Sequence, residues 1–319
     1  MNSPVAQRSW LGALGRWLRA MPHPRWVCEI APDRVVAARS GQFRAAGFFA
    51  EPLPAGALVP SAVEPNVVQV EPVRAALRAA LGRLDARGES IALLIPDPAV
   101  RVFVLPFEKF PRRADEAVPL LRWRLKKSVP FDVEETVVSW MQQPAAKSGV
   151  EVLVALARTR ILRQYEELVE AAGMMPGVVL GASLAALPLL EDDRPSLLVR
   201  LAGTTLTLVI VWGERVVMYR STEVGAEPAR LAPQVLLDEV FPALAYFHDA
   251  HHAEVQQIYL AGFGPRWAEF RDALAAEVPA RVLTLLSSSA VPTEAAAEAR
   301  ALAERSLEAL VGWMANRGA

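Results

Sequence analysis

Segments of strand-like spacing alternate with segments of helix-like spacing along both halves of this 319-residue chain. That alternation confines it to the α/β class with two related lobes. In the first half, Trp26 to Ile30 and Arg34 to Arg39 read as a hairpin and Gln42 to Ala50 as a third strand. Glu51 to Val70 carries four prolines and reads as a connecting loop. Pro72 to Arg87 has helix spacing, with Val73, Leu77, Leu81 and Leu84 on one side. Ile91 to Ile95 is an unbroken apolar strand stopped by Pro96 and Pro98, and Val100 to Pro106 is another strand. Arg113 to Ser128 then reads as a basic helix, Glu134 to Gln142 and Val150 to Ala157 as strands, and Arg160 to Ala172 as a helix with Gly173 as its C-terminal cap. In the second half, Ser196 to Ile210 and Arg215 to Arg220 read as two strands around Trp212 and Gly213. A helix from Pro233 to about Ala253, a strand from Gln257 to Ala261 and a helix from Arg266 to Glu277 follow. One amphipathic helix from Glu294 to Trp313 closes the chain.

A hydrophobic content of 53% supports a large core, which at this length divides into two lobes. The formal net charge of −1 gives no global attraction to nucleic acid or membrane, so any affinity for anions must be local. Cys28 is the only cysteine and sits in an apolar run; it reads as a core thiol, which excludes an internal disulfide and a cysteine-based zinc site. Near the start, Trp10, Leu14, Trp17 and Met21 form the stripe of a short amphipathic helix ended by Pro22 and Pro24, interrupted by arginines and unlike a secretory signal. Such a helix suits either an interfacial membrane contact or packing on protein. Residues 171–190 carry no charge, but glycines and prolines break the run, which reads as a buried strand and short helix rather than a membrane span. A cytoplasmic location is expected.

No Gly-Lys-Ser or Gly-Lys-Thr is present, so P-loop chemistry is not expected. Gly262-Phe263-Gly264 follows a strand and opens a helix, where backbone N–H groups can face a phosphate or an adenosine, although a tight turn alone explains both glycines. Gly181-Ala182-Ser183-Leu184-Ala185 has the small flanks of a nucleophile elbow, but Ser183 reads better as a helix N-cap. His248, His251 and His252 share one helix face; their position at a helix C-terminus favours a dipole interaction over a metal site. Arg122, Arg124, Lys126 and Lys127 form a dense basic patch, either a solvated face or a contact for anionic lipid or an acidic partner.

Leu105-Pro106 and the run Leu121 to Glu135, with Val129-Pro130-Phe131-Asp132-Val133-Glu134-Glu135 at its end, resemble the PilM family of type IV pilus assembly proteins. Ala171 to Met174, Leu197 to Ile210 and Ile258 to Gly262 resemble further family segments in the same order. The resemblance implies an actin-like, ribonuclease-H-like, two-lobe fold. Residues 1–24 would form the N-terminal helix and linker, and 25–195 the first lobe with a small α/β insert at about 99–173. Residues 196–319 would form a reduced second lobe with the C-terminal helix.

The departures from that family pattern bear on function. An actin-fold ATPase uses two hairpins rich in Asp, Gly and hydroxyl residues to hold phosphates and metal-bound water. Here the first turn reads Glu29-Ile30-Ala31-Pro32-Asp33, where Pro32 removes an N–H donor, and the second reads Arg200-Leu201-Ala202-Gly203, with a cation in place of an acid. Glu29, Ala31, Pro32, Arg200, Ala202, Gly203, Gly262 and Gly264 are thus the expected positions of a degenerate nucleotide cleft with no metal and no required cofactor. The expected function is a non-catalytic scaffold at the inner face of the inner membrane. By the resemblance, a groove between first lobe and insert, lined by Leu105, Pro106, Leu125, Val129 and Phe131, accepts the tail of a PilN-like inner-membrane protein. Other pilus assembly components would join it, nucleic acid would not, and Trp10, Leu14 and Trp17 are the candidate lipid contacts. The competing readings are an ATP-binding or ATP-hydrolysing actin-fold enzyme and a GspL-like component of type II secretion.

Overall fold

Two five-stranded sheets with one shared strand order organise the chain. The computed structural model describes residues 22–41, 43–144, 149–190, 193–213, 215–287 and 296–316. The helix expected at Trp10 to Met21 lies outside the described residues. In chain order the strands are β1 (Trp26–Ile30), β2 (Arg34–Arg39), β3 (Phe48–Pro52), β4 (Ser90–Ile95), β5 (Arg101–Phe107), β6 (Thr136–Pro144), β7 (Val150–Arg158), β8 (Met175–Gly181), β9 (Ser196–Ala202), β10 (Thr205–Trp212), β11 (Arg215–Glu223), β12 (Gln257–Ala261) and β13 (Arg281–Thr284). The helices are α1 (Val70–Gly82), α2 (Ala114–Leu125), α3 (Thr159–Ala171), α4 (Ala182–Ala186), α5 (Pro233–His251), α6 (Trp267–Glu277), α7 (Ala296–Glu304) and α8 (Glu308–Ala315).

The first sheet runs β3-β2-β1-β4-β8 and the second β11-β10-β9-β12-β13. In each, three antiparallel strands are followed by two parallel ones, so β9 is the counterpart of β1 and β12 that of β4. Side chains of one strand alternate between faces, and the two sheets use this alternation in the same way. On β1, Trp26, Cys28 and Ile30 face a core shared with α1 and α3, while Val27 faces the other lobe. On β9, Leu197, Val199 and Leu201 face the core under α5 and α6, while Leu198 faces the first lobe. A continuous core joins the lobes through Val27, Leu94, Leu198 and Tyr259 with the helices α4 and α8, where Leu310 and Trp313 are buried. Each fully buried side chain of that size contributes about 1.5–3 kcal/mol over an exposed one. The Cys28 thiol lies in the first core, where burial and then the neighbouring Glu29 push its pKa far up and leave it inert.

Between β4 and β8 the first lobe carries a three-stranded antiparallel sheet, β5-β7-β6. Leu121 and Leu125 of α2 cover one face through Val152 and Val154. The helix α3 turns back to the first lobe, where Ile161, Tyr165, Leu168 and Val169 join its core, and Gly173 caps it at φ +81°.

Several boundaries differ from the sequence reading. The segment expected as the single strand Ser196 to Ile210 is two strands, because Gly203 adopts φ +58° and turns the chain back on itself. The third strand begins at Phe48, after a 3-10 turn at Ala45–Gly47. The single C-terminal helix is two, broken where Ser306 adopts φ +51°. Residues 171–190 form the end of α3, β8, the short α4 and a 3-10 turn, and no helix among the described residues is long and apolar enough to cross a membrane.

Candidate functional site

The ends of β1 and β9 meet at the bottom of a cleft between the lobes. Glu29 and Arg200 sit at corresponding places near the carboxyl ends of these paired strands, each on the face turned to the other lobe, and alternation therefore aims them at one another. Arg200 Nη2 donates to Glu29 Oε1 at 2.6 Å, with both side chains at most 5% exposed. A second carboxylate, Asp97, follows β4. Its Oδ2 accepts from Arg200 Nη1 at 3.4 Å, Ser183 Oγ at 2.5 Å and Thr207 Oγ1 at 3.1 Å. Its Oδ1 accepts from Ser183 N at 2.9 Å and from Tyr219 Oη at 3.0 Å. First-lobe and second-lobe groups thus converge on one buried acid.

Burial works against the charge on Arg200, but Glu29 first and then Asp97 hold its guanidinium even more firmly protonated than usual. Burial, reinforced by Asp97, pushes the Tyr219 phenol well above its ordinary range, so it remains a neutral donor. The third acid is Glu308, at the start of α8. Its Oε1 accepts the Gly262 N–H at 3.1 Å, and burial raises its pKa above the ordinary 4.5. Gly262 has φ +80°, and a Cβ there would lie 1.9 Å from the Leu201 carbonyl oxygen, so the turn after β12 presses directly on β9. That close approach accounts for the glycine without any ligand.

A cleft of about 920 Å³ opens above this floor. Every position expected from the sequence lines it: Glu29, Ala31, Pro32, Arg200, Ala202, Gly203, Gly262 and Gly264. The two hairpin tips come close across it, so that a Cβ added to Gly203 would lie 3.2 Å from Pro32 Cγ. Arg266, from the turn before α6, closes another wall by donating to the carbonyls of Pro228 and Leu231 and pairing with Glu269.

Sequence reasoning missed Asp97, Thr207, Tyr219 and Glu308. A signal for Asp97 did exist, because it directly follows the carboxyl end of a central parallel strand, where open α/β sheets place their sites. Ser183 is not the expected helix N-cap; Gly181 holds that place, and Ser183 instead spends both its N–H and its hydroxyl on Asp97. The histidines are spread: His248 Nδ1 pairs with Glu254 at 2.8 Å, His251 packs on Phe247 and Trp212, and His252 is the left-handed cap of α5. No group of acids, histidines or cysteines among the described residues is arranged to hold a metal ion.

The groove between first lobe and insert exists, but its lining is not the expected one. Leu125 is fully buried beneath the insert sheet and Leu105 packs beside it, Pro106 is exposed, and Phe131 lies under the Arg158 guanidinium. Leu105 belongs to the sheet face that Leu125 and the rest of α2 cover, and strand alternation sends its neighbours the other way. On that other face Val137 and Ser139 of β6 and Ala155 and Ala157 of β7 confront Leu162 of α3 and Pro176, Val179 and Leu180 of β8. The space enclosed is about 350 Å³. Arg163 and Glu166, paired at 3.1 Å, stand at its rim.

The chain matches no protein-family model and no curated protein. Among solved structures it superposes on the PilM-PilN type IV pilus biogenesis complex with a TM-score of 0.71 at 18% identity, over 93% of this chain and all of that one. The ethanolamine utilization protein EutJ from Carboxydothermus hydrogenoformans follows with a TM-score of 0.51 at 9% identity, over 94% and 92% of the two chains. With its duplicated β3-β2-β1-β4-β8 sheet and interlobe cleft, the chain therefore has the actin-like fold, in the form shared with the PilM-PilN structure.

Proposed function

We propose that this chain is a non-catalytic scaffold of a type IV pilus assembly machine, which docks the extended tail of a PilN-like protein at the inner face of the inner membrane. The groove between β8 and the insert carries the docking half of this reading. β6 and β8 are each the outermost strand of their sheets, so an extended segment laid between them can pair with strand edges while its side chains enter the apolar space. Val137 and Met175, at 49% and 56% exposure, leave apolar surface at the groove and at the start of β8 for an occupant to cover.

Three features of the interlobe cleft support the non-catalytic half. Phosphoryl transfer needs a metal and donors placed between the two hairpins, yet Pro32 and Gly203 approach so closely that a Cβ on Gly203 would crowd the proline ring. Both carboxylates at the floor, Glu29 and Asp97, are already engaged by Arg200, which stands where a metal-bound water would need an acid. Pro32 also presents a ring where the first turn would offer an N–H. The residues present therefore do not fit a magnesium nucleotide, and no catalytic step is assigned to them.

Fluorescence anisotropy with the N-terminal peptide of a PilN-like protein tests the docking. Binding is expected, weakened at least about thirtyfold (some 2 kcal/mol) by Ala155→Glu, which buries a charge in the groove. Undiminished binding by that variant sinks the groove assignment. Magnesium-dependent ATP turnover by the purified chain sinks the non-catalytic one.

A further inference from the structure

The helix α2 points its apolar residues Ala117, Leu121 and Leu125 into the insert and leaves a second face uncovered. At about 100° per residue, Trp123 falls roughly opposite Leu121 and Leu125, and Lys126 and Lys127 follow directly where the helix ends. Trp123 is 73% exposed, the most exposed large hydrophobic side chain among the described residues. Arg124, Lys126 and Lys127 surround it, all exposed and none in an ion pair among the described residues. By contrast Arg122 is committed to Glu134 and the Thr136 carbonyl, and Arg113 to Asp115. The helix dipole accounts for cations at a C-terminus, but not for an indole held in water among them.

From this we infer that the C-terminal end of α2 is a membrane-surface contact, with Trp123 entering the interfacial layer and Arg124, Lys126 and Lys127 meeting anionic lipid headgroups. Tryptophan has an apolar body with one polar handle and settles at the boundary between headgroups and water. Each lysine or arginine near an anionic leaflet adds attraction that falls away within a Debye length. The chain as a whole carries a net charge of only −1, so no global field draws it to the surface, and a local patch of this kind orients the molecule as well as attracting it. Glu116, nearer the start of the helix, and Asp132 beyond its end set the limits of the basic area. The assignment does not depend on the groove or on any tail peptide.

Flotation of the full chain with vesicles, in the absence of any partner, tests it. The chain should float with phosphatidylglycerol-containing vesicles at low salt, remain unbound with pure phosphatidylcholine, and be released as salt is raised. Arg124→Glu/Lys126→Glu/Lys127→Glu should lower partitioning roughly a hundredfold. W123S should lower it by a smaller factor, and both variants should keep the circular dichroism of the parent because all four positions are exposed. Equal flotation of parent and triple variant, or equal flotation on neutral vesicles, overturns the inference. Failure to float, combined with patch-dependent retention on polyglutamate, overturns it in favour of an acidic protein partner.

Discussion

The two concavities of this chain differ in what already occupies their walls. The interlobe cleft is the larger, about 920 Å³, yet its floor is largely paired: one guanidinium, two carboxylates, three hydroxyls and a backbone N–H bond to one another, leaving Glu29 Oε2 and Arg200 Nε buried without a partner among the described residues. The groove beside the insert is smaller, about 350 Å³, and its walls are mostly apolar with two strand edges beside them. Volume alone would rank the cleft first as a site; apolar walls beside two strand edges rank the groove first for an extended segment. A fold can preserve a cavity after the cavity's charges have been turned inward to hold the lobes together.

Breaking the closed floor should have the largest effect. Arg200→Ala leaves Glu29 and Asp97 buried without their cation, and the chain should lose about 3–5 kcal/mol of stability in urea denaturation. A loss under 1 kcal/mol would mean that water enters the floor and the cleft is not closed. Removing one hydroxyl from Asp97 is the next step down: Ser183→Ala should cost about 1.5–3 kcal/mol, the range for a hydrogen bond to a charged group. Glu308 sharpens the comparison through pH. Its folded pKa is raised above 4.5 by burial, so between that value and the folded pKa the native chain keeps a proton that the unfolded chain has lost. Wild-type stability must therefore fall as pH rises through that window. Glu308→Gln, which keeps an acceptor for the Gly262 N–H, should remove the fall and gain on wild type as pH rises from 4.5 through the folded pKa; parallel stability profiles would refute this. At the groove, by contrast, Arg163→Ala breaks only a solvated rim pair and should change stability by less than about 1 kcal/mol.

Much of this fold was legible from spacing. The apolar run Ile91 to Ile95 between polar and proline boundaries, the hairpin at Trp26 to Arg39 and the amphipathic α1 declare themselves locally, whereas the pairing of Glu29 with Arg200 depends on how the two lobes face each other. The hairpin at Gly203 was hidden from spacing, though marked by the family resemblance, because apolar residues run on both sides of it and only one backbone angle reverses the chain. Glu308 looked like an ordinary polar position of an alanine-rich helix, and its burial depends on where that helix docks. The groove failed for a similar reason. The Leu105 and Leu125 pattern correctly marks a packed face, but choosing between the two faces of a sheet requires knowing which one its own helix takes.

The helix α8 settles against α4 so closely that a Cβ on Gly312 would stand 2.4 Å from the Ala185 carbonyl oxygen. Its Leu310 and Trp313 complete a core begun by residues such as Val27 and Val36, nearly the whole described chain earlier. During synthesis the first lobe therefore emerges with that core incomplete and keeps part of it uncovered until α8 arrives. For this chain the interval between translation of β1 and docking of α8 is the period in which aggregation competes with folding, and a chaperone that masks the unfinished face would act there.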